Sequence, residues 1–268
     1  MDLITNVDIP KSEFKVEPDM ELLFVGSCFA DNIGNKFEDN HFHTTINPYG
    51  VMYNPSSVYH TIEKYLNTCQ GRKIDVAVLT LGTNHVYIDK ATGEVVDNCQ
   101  KRPQNQFREE KYDITLCHKF ICNAVNLLME HNGNMKVFLT VSPIRYAKYG
   151  YHESQLSKAT LLLAAEMTMR AFSKNCIYFP AYEIMNDELR DYRFYAPDML
   201  HPSQQAVDYI WEKFCKTYMS KASLQMMTEW APISKALRHV PINPEGGEYK
   251  TFLAKTLGDK AAFEKKWK

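Results

Sequence analysis

A chain of 268 residues lies at the upper end of a single domain and is long enough to bury a sizeable core. With 45% hydrophobic and 24% charged residues it has the composition of an ordinary globular protein, which excludes disorder or a fibrous state as its main condition. Lys+Arg 31 against Asp+Glu 32 leaves a formal net charge of -1, so the electrostatic footprint of a dedicated nucleic-acid binder is missing.

The N-terminal MDLITNVDIPKSEFKVEPDM carries neither a basic n-region nor an apolar h-region, and no later stretch approaches the ~18 apolar residues of a membrane span. Cysteines at 28, 69, 99, 117, 122, 176 and 215 form no CxxC pair, and their odd number argues for reduced thiols. The expectation is a cytoplasmic protein with no membrane partner.

Glu21 to Gly26 is a short apolar run ending in glycine, and Phe29 to Phe37 follows with helical spacing, which predicts strand, tight turn and helix. Ser57 to Thr68 is an amphipathic helix candidate. Val76 to Gly82 and Lys136 to Val141 are near-continuously hydrophobic, as strands buried on both faces of a parallel sheet must be. Between and after them, Asp113 to Glu130, opened by an N-cap aspartate, and Glu153 to Ser173 read as helices. A last helix is expected just after His201-Pro202-Ser203, with Pro202 in its first turn. The alternation predicts an α/β sandwich with a mostly parallel sheet and a ligand crevice at the carboxyl ends of its strands. From about Ser220 to Lys268 helical patterns are separated by Pro232, Pro241 and the turn Asn243-Pro244-Glu245-Gly246-Gly247, and a charged run, Lys260 to Lys268, ends the chain. This tail is expected to be a helical extension, residues 221–268, packed on a main domain of residues 1–220.

Three polar clusters stand at the ends of these elements: Gly26-Ser27-Cys28 after the first strand, Gly82-Thr83-Asn84-His85 after Val76 to Leu81, and Asp198-Met199-Leu200-His201 before the last helix. A nucleophile at a strand-to-helix turn has its side chain exposed and lies where a helix N-terminus favours negative charge. An aspartate three residues before a histidine can fix the imidazole tautomer and leave the other ring nitrogen for that nucleophile, an arrangement suited to acyl transfer. Arg145, just after Pro143, is placed to reach a ligand at the crevice, and His85 either lines the pocket or ends a strand. His41 and His43, at period 2, would share one face of a strand; no further His or Cys pair has ligand spacing, so no metal site is expected. Cys117 and Cys122, five apart on a helix, argue for core positions. No glycine-rich phosphate loop or Schiff-base lysine motif is present, so no cofactor is implied.

Gly26-Ser27-Cys28-Phe29-Ala30 is the signature of the GSCFA-domain proteins, a bacterial branch resembling the SGNH/GDSL hydrolase superfamily. Asn47-Pro48-Tyr49-Gly50, Asn98-Cys99-Gln100-Lys101, Val141-Ser142-Pro143-Ile144-Arg145, Ser157-Lys158-Ala159 and Tyr192-Arg193-Phe194-Tyr195 are similar to that family as well, over most of residues 1 to 220. The resemblance implies a three-layer α/β/α sandwich of the SGNH-hydrolase or flavodoxin-like kind. It places the nucleophile on Cys28, where the superfamily keeps serine, with Ser27 at the preceding position; one of the two attacks and the other is scaffold. It implies oxyanion donors at Gly50 and Asn84, a last block at Asp198 and His201, and an acyl ester substrate such as an O-acetylated carbohydrate. A catalytically silent binding protein for a glycan or a protein partner is the alternative that the Ser27-Cys28 block raises.

Overall fold

The computed structural model describes residues 5–99, 102–242 and 246–267. Gln100 and Lys101 of one family-like segment, Asn243 to Glu245 of the tail turn, and Lys268 lie outside the described residues. In chain order, β1 (Glu21–Gly26) leads into α1 (Cys28–Asp39), β2 (His43–Ile46) and α2 (Pro55–Thr68). After β3 (Val76–Leu81) comes a small insertion of β4 (His85–Asp89), β5 (Val95–Val96) and β6 (Phe107–Lys111). Then α3 (Ile114–His131), β7 (Lys136–Val141), α4 (Tyr151–Ala171) and β8 (Cys176–Tyr178) restore the alternation. Beyond them α5 (Ala181–Glu183) runs on as a π-helical turn, Ile184–Leu189, and α6 (Gln204–Tyr218), α7 (Lys221–Leu237) and α8 (Gly247–Lys266) follow.

The main sheet has the order β2-β1-β3-β7-β8 with every neighbouring pair parallel. All six residues of the central β3 are buried, as its unbroken apolar run requires. One face, through Leu23, Val25, Leu79, Val137 and Leu139, packs on α2, α3 and α4. The other, through Phe24, Val78 and Phe138, packs on α1, α6 and the tail. Three layers result. Gly26 lies opposite Thr80 and Leu81 opposite Val141, so β1, β3 and β7 end on one edge. The insertion forms a separate antiparallel sheet, β5-β4-β6, that stands over this edge because only three residues, 82–84, separate β4 from the end of β3.

The bounds of β1, β3 and β7 agree with the sequence expectation, and Asp113 caps α3, its carboxylate accepting the Leu116 N–H at 2.8 Å. Elsewhere the structure corrects the reading. Helix α6 starts at Gln204, just after His201-Pro202-Ser203 as expected, but Pro202 lies ahead of the cap and not in the first turn, because Ser203 is the N-cap and its hydroxyl accepts the Ala206 N–H at 3.3 Å. Pro232 lies inside α7 and does not divide it. His41 is in a left-handed turn before β2, with φ 67, and its ring packs tilted against Trp230 at 4.3 Å, so it shares no strand face with His43. Cys117 is buried and Cys122 half-buried. The sequence reading missed β2, β8 and the whole second sheet, whose strands are too short or, like the FREEK of β6, too charged to show an apolar run.

The tail joins the main core. Met226, Trp230 and Phe263 are buried in the cluster that holds Val16 and Phe37, and the Trp230 indole donates to the Asp39 carbonyl at 2.8 Å. Among the described residues no helix is long and apolar enough to cross a membrane.

At the β1 terminus the sequence has no freedom. Gly26 has φ +142, and a Cβ there would lie 2.1 Å from the Thr80 carbonyl oxygen. Gly26→Ala therefore combines backbone strain with a collision between adjacent strands and is expected to destabilise the fold by about 3 kcal/mol. Denaturant unfolding of the variant measures this, and wild-type stability would contradict it.

Candidate active site

Ser27 and Cys28 follow directly from the β1 ending. Ser27 is fully buried and serves as the N-cap of α1: its hydroxyl accepts the Phe29 N–H at 3.3 Å and lies 3.1 Å from the Thr80 hydroxyl. Cys28 is then the first residue of α1, half-buried, and its sulfur points away from the cap to within 3.4 Å of the Tyr53 hydroxyl. The two residues thus face in different directions, Ser27 into the sheet and Cys28 toward the crevice.

Asn47 braces this turn. Its carbonyl oxygen Oδ1 accepts the Gly26 N–H at 2.9 Å and its amide donates to Asp31 at 2.6 Å, joining the loop after β2 to the first turn of α1. The Gly50 N–H, expected to face an oxyanion, donates to the Asn47 carbonyl at 2.8 Å in the same loop. Asn84 is buried, and its side-chain amide donates to the Tyr112 carbonyl at 2.7 Å.

Asp198 and His201 meet as their spacing suggests. Asp198 accepts the backbone N–H groups of Leu200 at 2.9 Å and His201 at 3.0 Å with one oxygen, and the His201 Nδ1 at 2.6 Å with the other. Those two backbone donors, then the ring, hold its carboxyl down at about 2, so Asp198 is ionised throughout the neutral range. An ionised carboxylate fixes the proton on Nδ1 and leaves Nε2 as the acceptor. Arg145 supports this loop: its backbone N–H donates to the Leu200 carbonyl at 3.0 Å and its guanidinium to the Met199 carbonyl at 3.2 Å. The guanidinium lies 4.2 Å from the Tyr151 ring and 5.2 Å from that of Tyr195, which accounts for the tyrosine-rich segment before the last block. Arg145 is thus turned toward the Asp198 loop. These bonds tie the loop to the segment that follows β7, on the edge where β1 also ends. No hydrogen bond joins Cys28 to His201.

Over the same edge lies a cavity of about 480 Å³ between the main sheet and the insertion, walled in part by Tyr53, Thr83, His85, Tyr146 and Tyr149. His85 is buried, stacks on Tyr149 at 3.8 Å and has Nδ1 3.0 Å from Glu109. Burial lowers its pKa despite that carboxylate, so the ring is neutral and Nδ1–H donates to Glu109. Burial pushes the Glu109 carboxyl up, but Lys148, Tyr149 and His85 together hold it below the usual range. Among the described residues no group of three or more His, Cys, Asp or Glu is placed to hold a metal ion.

Two residues of α4 assemble the β3 ending. Ser157 accepts the Asn84 N–H at 3.0 Å and lies 3.1 Å from the Thr83 hydroxyl. Lys158, fully buried, donates to the Gly82 carbonyl at 2.6 Å and the Ser142 carbonyl at 2.7 Å, clamping the ends of β3 and β7 together. Ser157-Lys158-Ala159 was visible as a family-like segment, but a lysine in an amphipathic helix carries no sign that it points inward. Burial pulls its pKa down to about 7. A neutral amine has two hydrogens, one for each carbonyl. Between about pH 7 and the ordinary lysine value of 10.5 the unfolded chain holds a proton here that the folded chain does not, so stability rises with pH across that window. Lys158→Met is expected to abolish that rise and to destabilise by about 1–3 kcal/mol for each carbonyl left unpaired. Denaturation of both proteins at about pH 7 and pH 9 decides it; parallel pH dependence would refute the assignment.

The sequence profile described as GSCFA family matches residues 21–74 and 68–214, and that described as GSCFA domain protein, C-terminal domain, matches residues 230–268. No curated protein matches the sequence. Among solved structures, one described provisionally as a GDSL-like lipase from Parabacteroides merdae is 13% identical with a TM-score of 0.50, over 76% of this chain and 98% of its own. A carbohydrate esterase family 2 enzyme with a carbohydrate-binding domain, from Corynascus thermopiles (Myceliophthora fergusii), is 12% identical with a TM-score of 0.50, over 82% of this chain and 69% of its own. A member of the lipolytic G-D-S-L family from Veillonella parvula is 15% identical with a TM-score of 0.47, over 74% and 98%. The first two carry the mostly parallel α/β fold found here. The profile matches, the Gly26-Ser27-Cys28-Phe29-Ala30 turn and the shared architecture together place the chain in the GSCFA family, on the fold of the SGNH/GDSL-like hydrolases.

Proposed function

We propose that the protein is an ester hydrolase or acyltransferase that works through a covalent acyl-enzyme on Cys28. The observation that carries this reading is the Asp198–His201 pair, with an ionised carboxylate on Nδ1 and a free Nε2, on the same sheet edge as a cysteine at a helix N-terminus. In the first step His201 Nε2 takes the thiol proton, Sγ bonds to the carbonyl carbon, and the carbonyl π electrons move onto oxygen. Collapse of the tetrahedral species re-forms C=O and breaks the bond to the leaving oxygen, which takes the proton from Nε2. Water, or an acceptor hydroxyl in a transfer reaction, then gives a proton to Nε2 as its oxygen bonds to the thioester carbon; collapse of this second tetrahedral species breaks the C–S bond, and Sγ takes the proton back from Nε2. Ser27, turned inward as a cap, is scaffold in this scheme, and Asp198 orients the base.

The aromatic walls of the cavity beside Tyr53 suit a sugar ring, and support an O-acetylated carbohydrate as the substrate class. A second reading, a catalytically silent SGNH-fold binding protein, is favoured by the lack of a Cys28–His201 hydrogen bond and by the engagement of the Gly50 N–H and Asn84 amide with protein carbonyls.

Hydrolysis of short-chain aryl acetates by the wild type, Cys28→Ala, Ser27→Ala and His201→Ala distinguishes the two. Loss of the nucleophile or the base is expected to reduce kcat by about 10³-fold or more. Ser27→Ala is expected to retain turnover while losing about 1 kcal/mol of stability with the cap. Equal rates in all four proteins would leave only the binding reading.

A further inference from the structure

An acyl-transfer site needs preorganised donors where the carbonyl oxygen acquires charge, and each is typically worth about 10²–10³ in rate. The two donors expected from the family pattern are engaged elsewhere: the Gly50 N–H closes a turn on Asn47, and the Asn84 amide holds Tyr112. Around Cys28 the Phe29 and Ala30 N–H groups are taken by the Ser27 hydroxyl and carbonyl, which leaves the Cys28 N–H and one side-chain hydroxyl, that of Tyr53. We propose that the Tyr53 hydroxyl is a catalytic donor, hydrogen-bonding the Cys28 sulfur at rest and the oxyanion of the tetrahedral intermediate during acyl transfer. The proposal rests on the reading of Cys28 as nucleophile.

The geometry is specific. The phenol oxygen is 3.4 Å from Sγ, and the oxyanion forms two bonds away from that sulfur, so a small rotation of the phenol carries the donor from one acceptor to the other. The Tyr53 backbone is anchored: its carbonyl accepts both the Gly82 and the Thr83 N–H at 2.8 Å, and the next residue, Asn54, caps α2 through the Ser57 N–H at 2.9 Å. Its ring meets the ring of Tyr146 edge-on at 6.2 Å and 88°. Tyr53 is thus fixed by the same Gly82-Thr83 block that Lys158 and Ser157 hold. Burial and the neighbouring Cys28 push its pKa well above the ordinary phenol value, so it donates a hydrogen bond and keeps its proton throughout the cycle. The proton transfers remain with His201, and the electron count of the steps above is unchanged.

The test compares full-length wild type, Tyr53→Phe and Cys28→Ala in aryl acetate hydrolysis, with thermal melting and the iodoacetamide alkylation rate of Cys28 as further readouts. Tyr53→Phe keeps the ring against Tyr146 and is expected to melt like the wild type. Its kcat is expected to fall about 10²-fold with KM unchanged within about a factor of two, the signature of a group used in the transition state. Cys28 alkylation is expected to slow several-fold with loss of the donor to sulfur. Equal fractional losses in kcat and melting temperature without change in alkylation would mark Tyr53 as merely structural and overturn the proposal. Full turnover by Tyr53→Phe with loss in Cys28→Ala overturns the role of Tyr53 alone. Full turnover by Cys28→Ala, or none by the wild type, overturns both this inference and the reading beneath it.

Discussion

The contact on which the molecule depends is the close approach of β1 to β3 at Gly26. With no side chain there, the Thr80 carbonyl and hydroxyl fill the space a Cβ would take, and the chain leaves the sheet at an angle that turns Ser27 under α1 and Cys28 outward. The same parallel register brings Gly82 and Ser142 to the edge, where one buried lysine holds both carbonyls. The crevice is therefore the consequence of aligned strand endings, and its polar groups are arranged by packing decided several residues earlier in each strand.

Electrostatics then separates two histidine–carboxylate pairs with similar distances. His201 is exposed, and its aspartate is stabilised as an anion chiefly by backbone N–H groups. His85 is buried beneath Tyr149, and its glutamate must also answer to Lys148. Desolvation keeps the His85 ring neutral beside its glutamate, while the first pair remains open to solvent. Proximity of an acid to an imidazole does not by itself identify a base; the dielectric around the pair decides what it can do.

How much of this was legible in the sequence follows from what each signal encodes. Continuous apolar runs revealed β1, β3 and β7, because strands buried on both faces must be apolar throughout. The strand-end clusters and the three-residue spacing of Asp198 and His201 were readable for the same local reason. Non-local partners were not: nothing in the sequence says that Ser157 and Lys158 of α4 point at residues some 75 positions earlier, that the Arg145 guanidinium serves the Asp198 loop, or that Tyr53 ends beside Cys28. The insertion β4 to β6 escaped because its strands are short and charged, yet it supplies the far wall of the cavity.

The helix that starts at Cys28 ends at Asp39, and there the Trp230 indole holds its last turn. Twelve residues of α-helix make a rod about 18 Å long, stiff over that distance. Along it Phe37 meets Trp211 and Phe214, and His41 just beyond it meets Trp230 and Phe263. The C-terminal helices thus hold one end of a helix whose other end is the cysteine, so the two regions matched by separate family profiles share one core cluster. The tail packs against the end of α1 opposite the one that carries the sulfur.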